Sequence, residues 1–442
     1  MTDRQRRAGR RVLIGFVVLA LLVGAEEIWR SAYSAGRAKG ENLSDFALAP
    51  VPDGENFFKT PFLQKMAYGR GTRVAPSLTV AWGAGLIGEW KKTDLAAVQK
   101  ELLGDTNFVL TKGQSPAEAI AEAVRQIPEA HELREAAKRK YSQCDPMLDS
   151  MDDTQWPNFV TLRYLFQLFA VSGSAELELG HSDVAGKDAR VIEQLINGLH
   201  GNPTLVSAMI RVGGSTCLLQ VFWEGWQEQW SDAQLVEFEN YFATLNLVAD
   251  VDRALHAEPV ITKDGFRRAK SSNLKDTLVR TVDSVWLNMN FAAYRDIMRK
   301  DCYGCDDPTN GVVFPELCIK GVADVKRFTN SYSPFREIAA IAVPSFDHAF
   351  MTTAKDQAYV NEAAIVCALE RCRHGRGHYP TSLDELAPVY IASVPKDPID
   401  GKALHFRLDG AKFLLYSVGW NETDDGGTPS TNDAVGDWVW GR

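Results

Sequence analysis

The stretch PNFVTLRYLFQLFAV, Pro157 to Val171, is apolar on several sides, with Leu162, Leu165, Phe166 and Phe169 at the spacing of one helical stripe. Such a helix is normally buried between other helices, so this stretch predicts a packed helical body. Helical patterns extend both ways from it. Upstream, TDLAAVQKELL puts Leu95, Val98 and Leu102 on one face. SPAEAIAEAVRQI opens with Ser115 as N-cap, Pro116 at the first helical position and Glu118 completing a capping box. Downstream, DARVIEQLINGL stops at Gly201 and Pro203, and TLVSAMIRVGGSTCLLQVFWEGW resumes beyond them. A second capping box, Ser231 to Gln234, starts SDAQLVEFENYFATLNLV. Helices interrupted by Gly and Pro predict antiparallel hairpins, without the fixed period of a solenoid repeat.

The 442 residues are 45% hydrophobic and 24% charged, which fits about two or three domains. A formal charge of -9 with no basic face beyond the N-terminus argues against general nucleic-acid binding. The N-terminus, MTDRQRRAGRR, is Arg-rich and leads into an uncharged run from Val12 to Ala25, followed by Glu26 and Glu27. By the positive-inside rule this predicts a membrane helix with the body outside the cytoplasm, on the periplasmic side of an inner membrane. The run is shorter than the ~20 residues of a usual span. Ile28 and Trp29 extend it. A cleavable signal peptide ending at Val23-Gly24-Ala25 is the alternative, and Arg10-Arg11 loosely resembles a twin-Arg export signal.

These signals divide the chain into a cytoplasmic tail and anchor (1–30), a Gly/Ser/Pro-containing linker (31–56), a helical body (57–272), an irregular connecting region (273–345) and a C-terminal unit (346–442). In the C-terminal unit a helix over about Ala354 to Arg373 carries Ala358, Ile365, Ala368, Leu369 and Cys372 on one side. ALHFRLDGAKFLLYSVG reads as a β-hairpin turning at Asp409-Gly410.

Several chemical motifs are weak. Gly83, Gly85 and Gly88 spell G-x-G-x-x-G, but no helix opens directly from them, so a Gly-rich turn accounts for them better than a dinucleotide site. His374 and His378 are separated by two glycines, which argues against a helical metal pair. Cys302-x-x-Cys305, with Cys318 nearby, admits a structural disulfide, free thiols, or a metal or redox role. Trp223, Trp226 and Trp230 are at helical spacing and read as core packing, with a ring-binding groove as the rival.

The tail carries an ordered series: Ala368-Leu369-Glu370, Gly377, Tyr379-Pro380, Ser382-Leu383, Leu386, Pro395-Lys396-Asp397-Pro398, Asp400-Gly401 and Tyr416-Ser417-Val418-Gly419, then an acidic Gly-rich loop. This series resembles the globular domain of type II secretion major pseudopilins (G-type) over about the last 85 residues. The chain departs from that family at its start, where no prepilin-peptidase site precedes the apolar run and no Glu lies within it. The helical middle resembles large uncharacterised envelope proteins that carry such tails. The resemblance implies a calcium ion held by the Val418 carbonyl, Asn421, Asp424, Asp425 and Asp437. Calcium chemistry agrees, because the ion takes six to eight oxygens and a Gly-containing loop lets carboxylates converge. A solvated acidic loop is the alternative.

The expected fold is mainly α with a C-terminal α+β, pseudopilin-like helix and small antiparallel sheet. The expected function is a membrane-anchored structural or interaction protein, secretion- or pilus-related, with envelope or secretion-system partners. The other classes are an extracytoplasmic enzyme with a pocket in the helical body, and a binding module for a peptide or envelope polymer.

Overall fold

The computed structural model describes residues 43–66, 90–105, 108–145, 157–268, 277–330, 336–343 and 346–441. The expected anchor, the linker up to residue 42 and the Gly83-Gly85-Gly88 turn lie outside these residues. The described chain is mainly helical, with a small antiparallel sheet near its C-terminus. Its principal helices are α1 (Leu95–Gly104), α2 (Pro116–Arg125), α3 (Pro128–Ala136), α4 (Phe159–Glu178), α5 (Ser182–Leu199), α6 (Leu205–Gly225), α7 (Asp232–Phe242), α8 (Leu247–Arg268), α9 (Thr277–Ile297), α10 (Pro315–Asn330) and α11 (Phe346–Arg376).

Local chemistry sets the helix starts. Ser115 and Ser231 each cap a helix and complete a reciprocal box, with Glu118 and Gln234 respectively. The Asn158 side chain accepts the Thr161 N–H at the head of α4. Leu162, Leu165, Phe166 and Phe169 are all buried, as the stripe predicts. Helices α4, α5 and α6 pack on one another, and α6 also touches α8 and α11. Gly214 lets them close up, since a Cβ there would stand 2.7 Å from the Phe166 ring and 2.9 Å from Ile196. Helix α6 is long and apolar enough to cross a membrane, but 67% of its apolar window is buried inside the protein, as in a core helix.

The region expected to be irregular contains α9 and α10. Helix α9 is rich in Asn and β-branched residues, which lowers intrinsic helix propensity; packing against α8 supplies what propensity does not. Helix α10 begins with Pro315 and Glu316, a start signal that the turn-rich sequence before it obscures.

Helix α11 starts at Phe346, eight residues before the expected Ala354. Phe346 and Phe350 are fully buried, so the early turns are held by packing. Ala358, Ile365, Ala368, Leu369 and Cys372 are buried, as their spacing predicts. Strands β1 (Asp306–Asp307) and β2 (Val312–Val313) form a small hairpin. Strands β3 (His405–Asp409), β4 (Lys412–Ser417) and β5 (Trp438–Val439) form the second sheet in that order. Asp409 pairs with Lys412, so the β3–β4 turn is Gly410-Ala411, one residue later than expected, with Gly410 at φ 62.

Candidate functional site

The C-terminal sheet is fastened to the helical body by aromatic rings. Trp440, just past β5, donates its backbone N–H to the Leu415 carbonyl at 3.0 Å. Its ring centroid lies 4.6 Å from Trp90, 5.9 Å from Phe222 and 6.4 Å from Trp226. Trp226 meets Phe413 of β4 at 5.6 Å, and Trp90 meets Tyr359 of α11 at 4.8 Å. Edge and tilted ring pairs of this kind add to the burial energy. The three tryptophans expected on one helical face divide between helix and turn. Helix α6 ends at Gly225, where Trp230 folds back and a Cβ would stand 2.7 Å from its indole. Trp230 is buried, with its indole N–H on the Phe222 carbonyl at 2.9 Å.

Beside this cluster is a cleft of about 160 Å³, lined by Trp90, Thr216, Gln220, Lys355, Asp356 and Tyr359, with Asp433 at its rim. Asp356 is buried in α11 and accepts hydrogen bonds from the hydroxyls of Ser215 and Thr216, the latter at 2.9 Å. Burial pushes its carboxyl up to about 7, against the lowering effect of those hydroxyls. Lys355 pairs with Asp433 of the C-terminal loop at 2.5 Å. Ser215 is fully buried, so its hydroxyl ties α6 to α11 and is not accessible as a nucleophile.

The acidic loop is closed by backbone contacts. Gly419 has φ 70, and a Cβ there would stand 2.2 Å from the Gly436 carbonyl oxygen, so the two ends of the loop touch. Asp437 accepts the N–H groups of Asp425, Gly427 and Thr428 at 3.2, 2.6 and 3.3 Å. Asp424 accepts the Gly426 N–H and the Tyr416 hydroxyl, both at 2.9 Å; these bonds, the backbone one first, hold its carboxyl below the ordinary value. Asn421 donates to Asp425 at 3.0 Å. Val418 presents its N–H to Asp397 at 3.0 Å, and Asp397 also accepts from Ser417 and Ile399 at 2.9 Å each. Asp397 is thus the buried anchor of the loop's first end, a role that the Pro-Lys-Asp-Pro motif does not announce.

The oxygen donors of Val418, Asn421, Asp424, Asp425 and Asp437 suit a hard cation chemically. As arranged, each acid is engaged separately; among the described residues no three His, Cys, Asp or Glu side chains gather as a metal site. His374 pairs with Asp232 at 2.7 Å, while the His378 ring faces its neighbour's carbonyl, so the two histidines have separate partners. All seven cysteines are buried.

Sequence reading passes over Trp90 and Asp356, and names Asp397 only as part of the Pro-Lys-Asp-Pro motif, without its anchoring role. For Asp356 the available signal is an acid within an otherwise core-facing helix. Trp90 follows a Gly-rich stretch and has no periodic neighbours, so only tertiary structure identifies it. Comparison with known proteins finds no matching family model, curated protein or solved structure.

Proposed function

We propose that this chain is a membrane-anchored, extracytoplasmic structural or interaction protein, secretion- or pilus-related, whose body displays the acidic C-terminal loop to an envelope partner. One observation carries the reading. The loop is pinned at both ends, by Asp397 and Asp437, on a sheet that Trp440 clamps to α6, so exposed Glu422 and Asp425 project from a fixed platform. A preorganised surface loses less entropy on binding than a loose one. The order of long helix, short turn, hairpin, acidic loop and closing strand supports the likeness to a pseudopilin globular domain. Five acids and no Lys or Arg lie between residues 413 and 441, which supports a cation or a basic partner at this face.

The test pairs topology with binding. A reporter fused after Arg442 should be active only when exported. Pull-down from solubilised envelope should recover defined envelope proteins with the wild type and lose them with Glu422→Gln/Asp425→Asn. Equal recovery by wild type and variant, or activity of a cytoplasm-only reporter, overturns the proposal. Calcium belongs to this reading as the loop's stabilising ion. Binding to the folded state alone stabilises by about 2.7 kcal/mol at 100 times the dissociation constant. The full chain should then melt higher in calcium than in chelator, and Asp425→Asn should remove the difference. Magnesium should substitute poorly, because it demands a tighter octahedron. An unchanged melt together with no calorimetric binding at millimolar calcium removes the ion from the reading.

A further inference from the structure

We infer that Cys305 and Cys318 form a disulfide in the exported protein, while Cys302 stays a thiol. The inference rests on the extracytoplasmic location proposed above, because structural disulfides persist in oxidising compartments. The C-x-x-C spacing points to Cys302 and Cys305 as a pair, but the fold brings a different pair together. Asp306 lies opposite Val313 in the β1–β2 hairpin, and one rung further the Phe314 N–H donates to the Cys305 carbonyl at 2.7 Å. Helix α10 opens directly after Phe314, and Cys318 donates its N–H to the Phe314 carbonyl at 3.1 Å. Hairpin and first helical turn together bring Cys318 back onto Cys305. The Cys318 Sγ stands 4.0 Å from the Cys305 carbonyl oxygen, so its thiol lies directly over the Cys305 backbone. Both are almost completely buried.

Cys302 sits differently. It closes a π-helical turn, Met298–Cys302, and the chain between it and Cys305 turns at Gly304, with φ 79. This is not the helix-opening geometry that activates a redox C-x-x-C. The Cys318 thiol donates toward Cys305 and is the main cause holding the Cys305 thiol below its usual value, while burial pushes Cys302 up. The exchange can begin at either cysteine; begun at Cys305, it runs in two attacks. The Cys305 thiolate attacks one sulfur of an oxidised low-molecular-weight disulfide such as glutathione disulfide, releasing one glutathione thiolate. The Cys318 thiolate then attacks the Cys305 sulfur of the mixed disulfide and releases the second. Two protein thiols lose two protons and two electrons, and one glutathione disulfide becomes two glutathione thiols. Burial in the folded state places this exchange during folding, before α10 closes over the hairpin.

The test uses the full chain exported through its own N-terminus and solubilised in detergent. Free thiols are blocked with N-ethylmaleimide in denaturant, and the protein is digested without reduction. Trypsin leaves all three cysteines on residues 301–320; chymotrypsin cutting after Tyr303 together with a Glu-specific protease cutting after Glu316 separates them. The expected product joins the Cys305 and Cys318 peptides, with one maleimide on the Cys302 peptide. Cys302→Ser should keep the link and Cys318→Ser should abolish it. The same digest is run on chain made in a reducing cytoplasm and refolded in a glutathione redox buffer. A link there but not in the exported chain upholds the pairing and overturns the location. No link in either sample, or a Cys302–Cys305 link, overturns the inference.

Discussion

Glu362 lies in the middle of α11, fully buried, with neither carboxylate oxygen in a hydrogen bond of good geometry. Burial, and then the charge of Asp397, push its carboxyl well above the ordinary value of 4.5. An unfolded chain gives up this proton first, so the stability held by the neutral carboxyl is complete below pH 4.5 and is lost as pH rises toward the folded value. The slope is about 1.4 kcal/mol for each pH unit while the two states differ by one proton. Glu193, Asp306 and Asp356, each pushed up to about 7 by burial, steepen the same decline. Glu362→Gln removes one titration and keeps the shape. In thermal melts, the gap between variant and wild type should shift in the variant's favour from about pH 4 to about pH 7. A gap that does not change with pH would show that Glu362 ionises equally in both states.

Among the elements, α4 and α5 test the packing most sharply. Leu165 is fully buried, so Leu165→Ala should cost about 2–5 kcal/mol in chemical denaturation, through lost transfer energy and the cavity left behind. An unchanged midpoint would place that face in solvent. Gly198 of α5 faces Phe58, and a Cβ there would stand 1.8 Å from the ring. Gly198→Ala must displace the Phe57-Phe58 segment and should cost about 1–3 kcal/mol as overpacking. Wild-type stability would mean that the ring is not seated there. Helix starts were legible because caps are local: Ser115 with Glu118 and Ser231 with Gln234 form as their spacing indicates. The β3–β4 hairpin was legible for the same reason, although it turns at Gly410-Ala411, one residue beyond the expected place. Helix α9 and the early start of α11 were not, because tertiary burial holds them where intrinsic propensity is weak. The acidic loop was visible as composition, but its closure by Asp397 and Asp437 depends on backbone N–H groups that no side-chain pattern encodes.

At the scale of the whole molecule, the C-terminal sheet and the helical body share one aromatic seam. Trp440 joins β5 to α6 through Phe222 and Trp226, and Trp90 joins both to Tyr359 of α11. Lys355 and Asp433 tie the loop to α11 beside that seam. Trp440→Ala should cost about 3–5 kcal/mol, as for other buried tryptophans. The more telling quantity is where that loss appears. Regions that open together lose hydrogen-exchange protection together. Hydrogen exchange read by mass spectrometry on wild type and Trp440→Ala therefore tests the rigid platform most directly. Peptides covering the C-terminal half of α6, around Phe222, should lose protection in step with those covering β4, Lys412–Ser417. Loss confined to the hairpin, with α6 protected as in the wild type, would contradict a sheet and body that act as one unit.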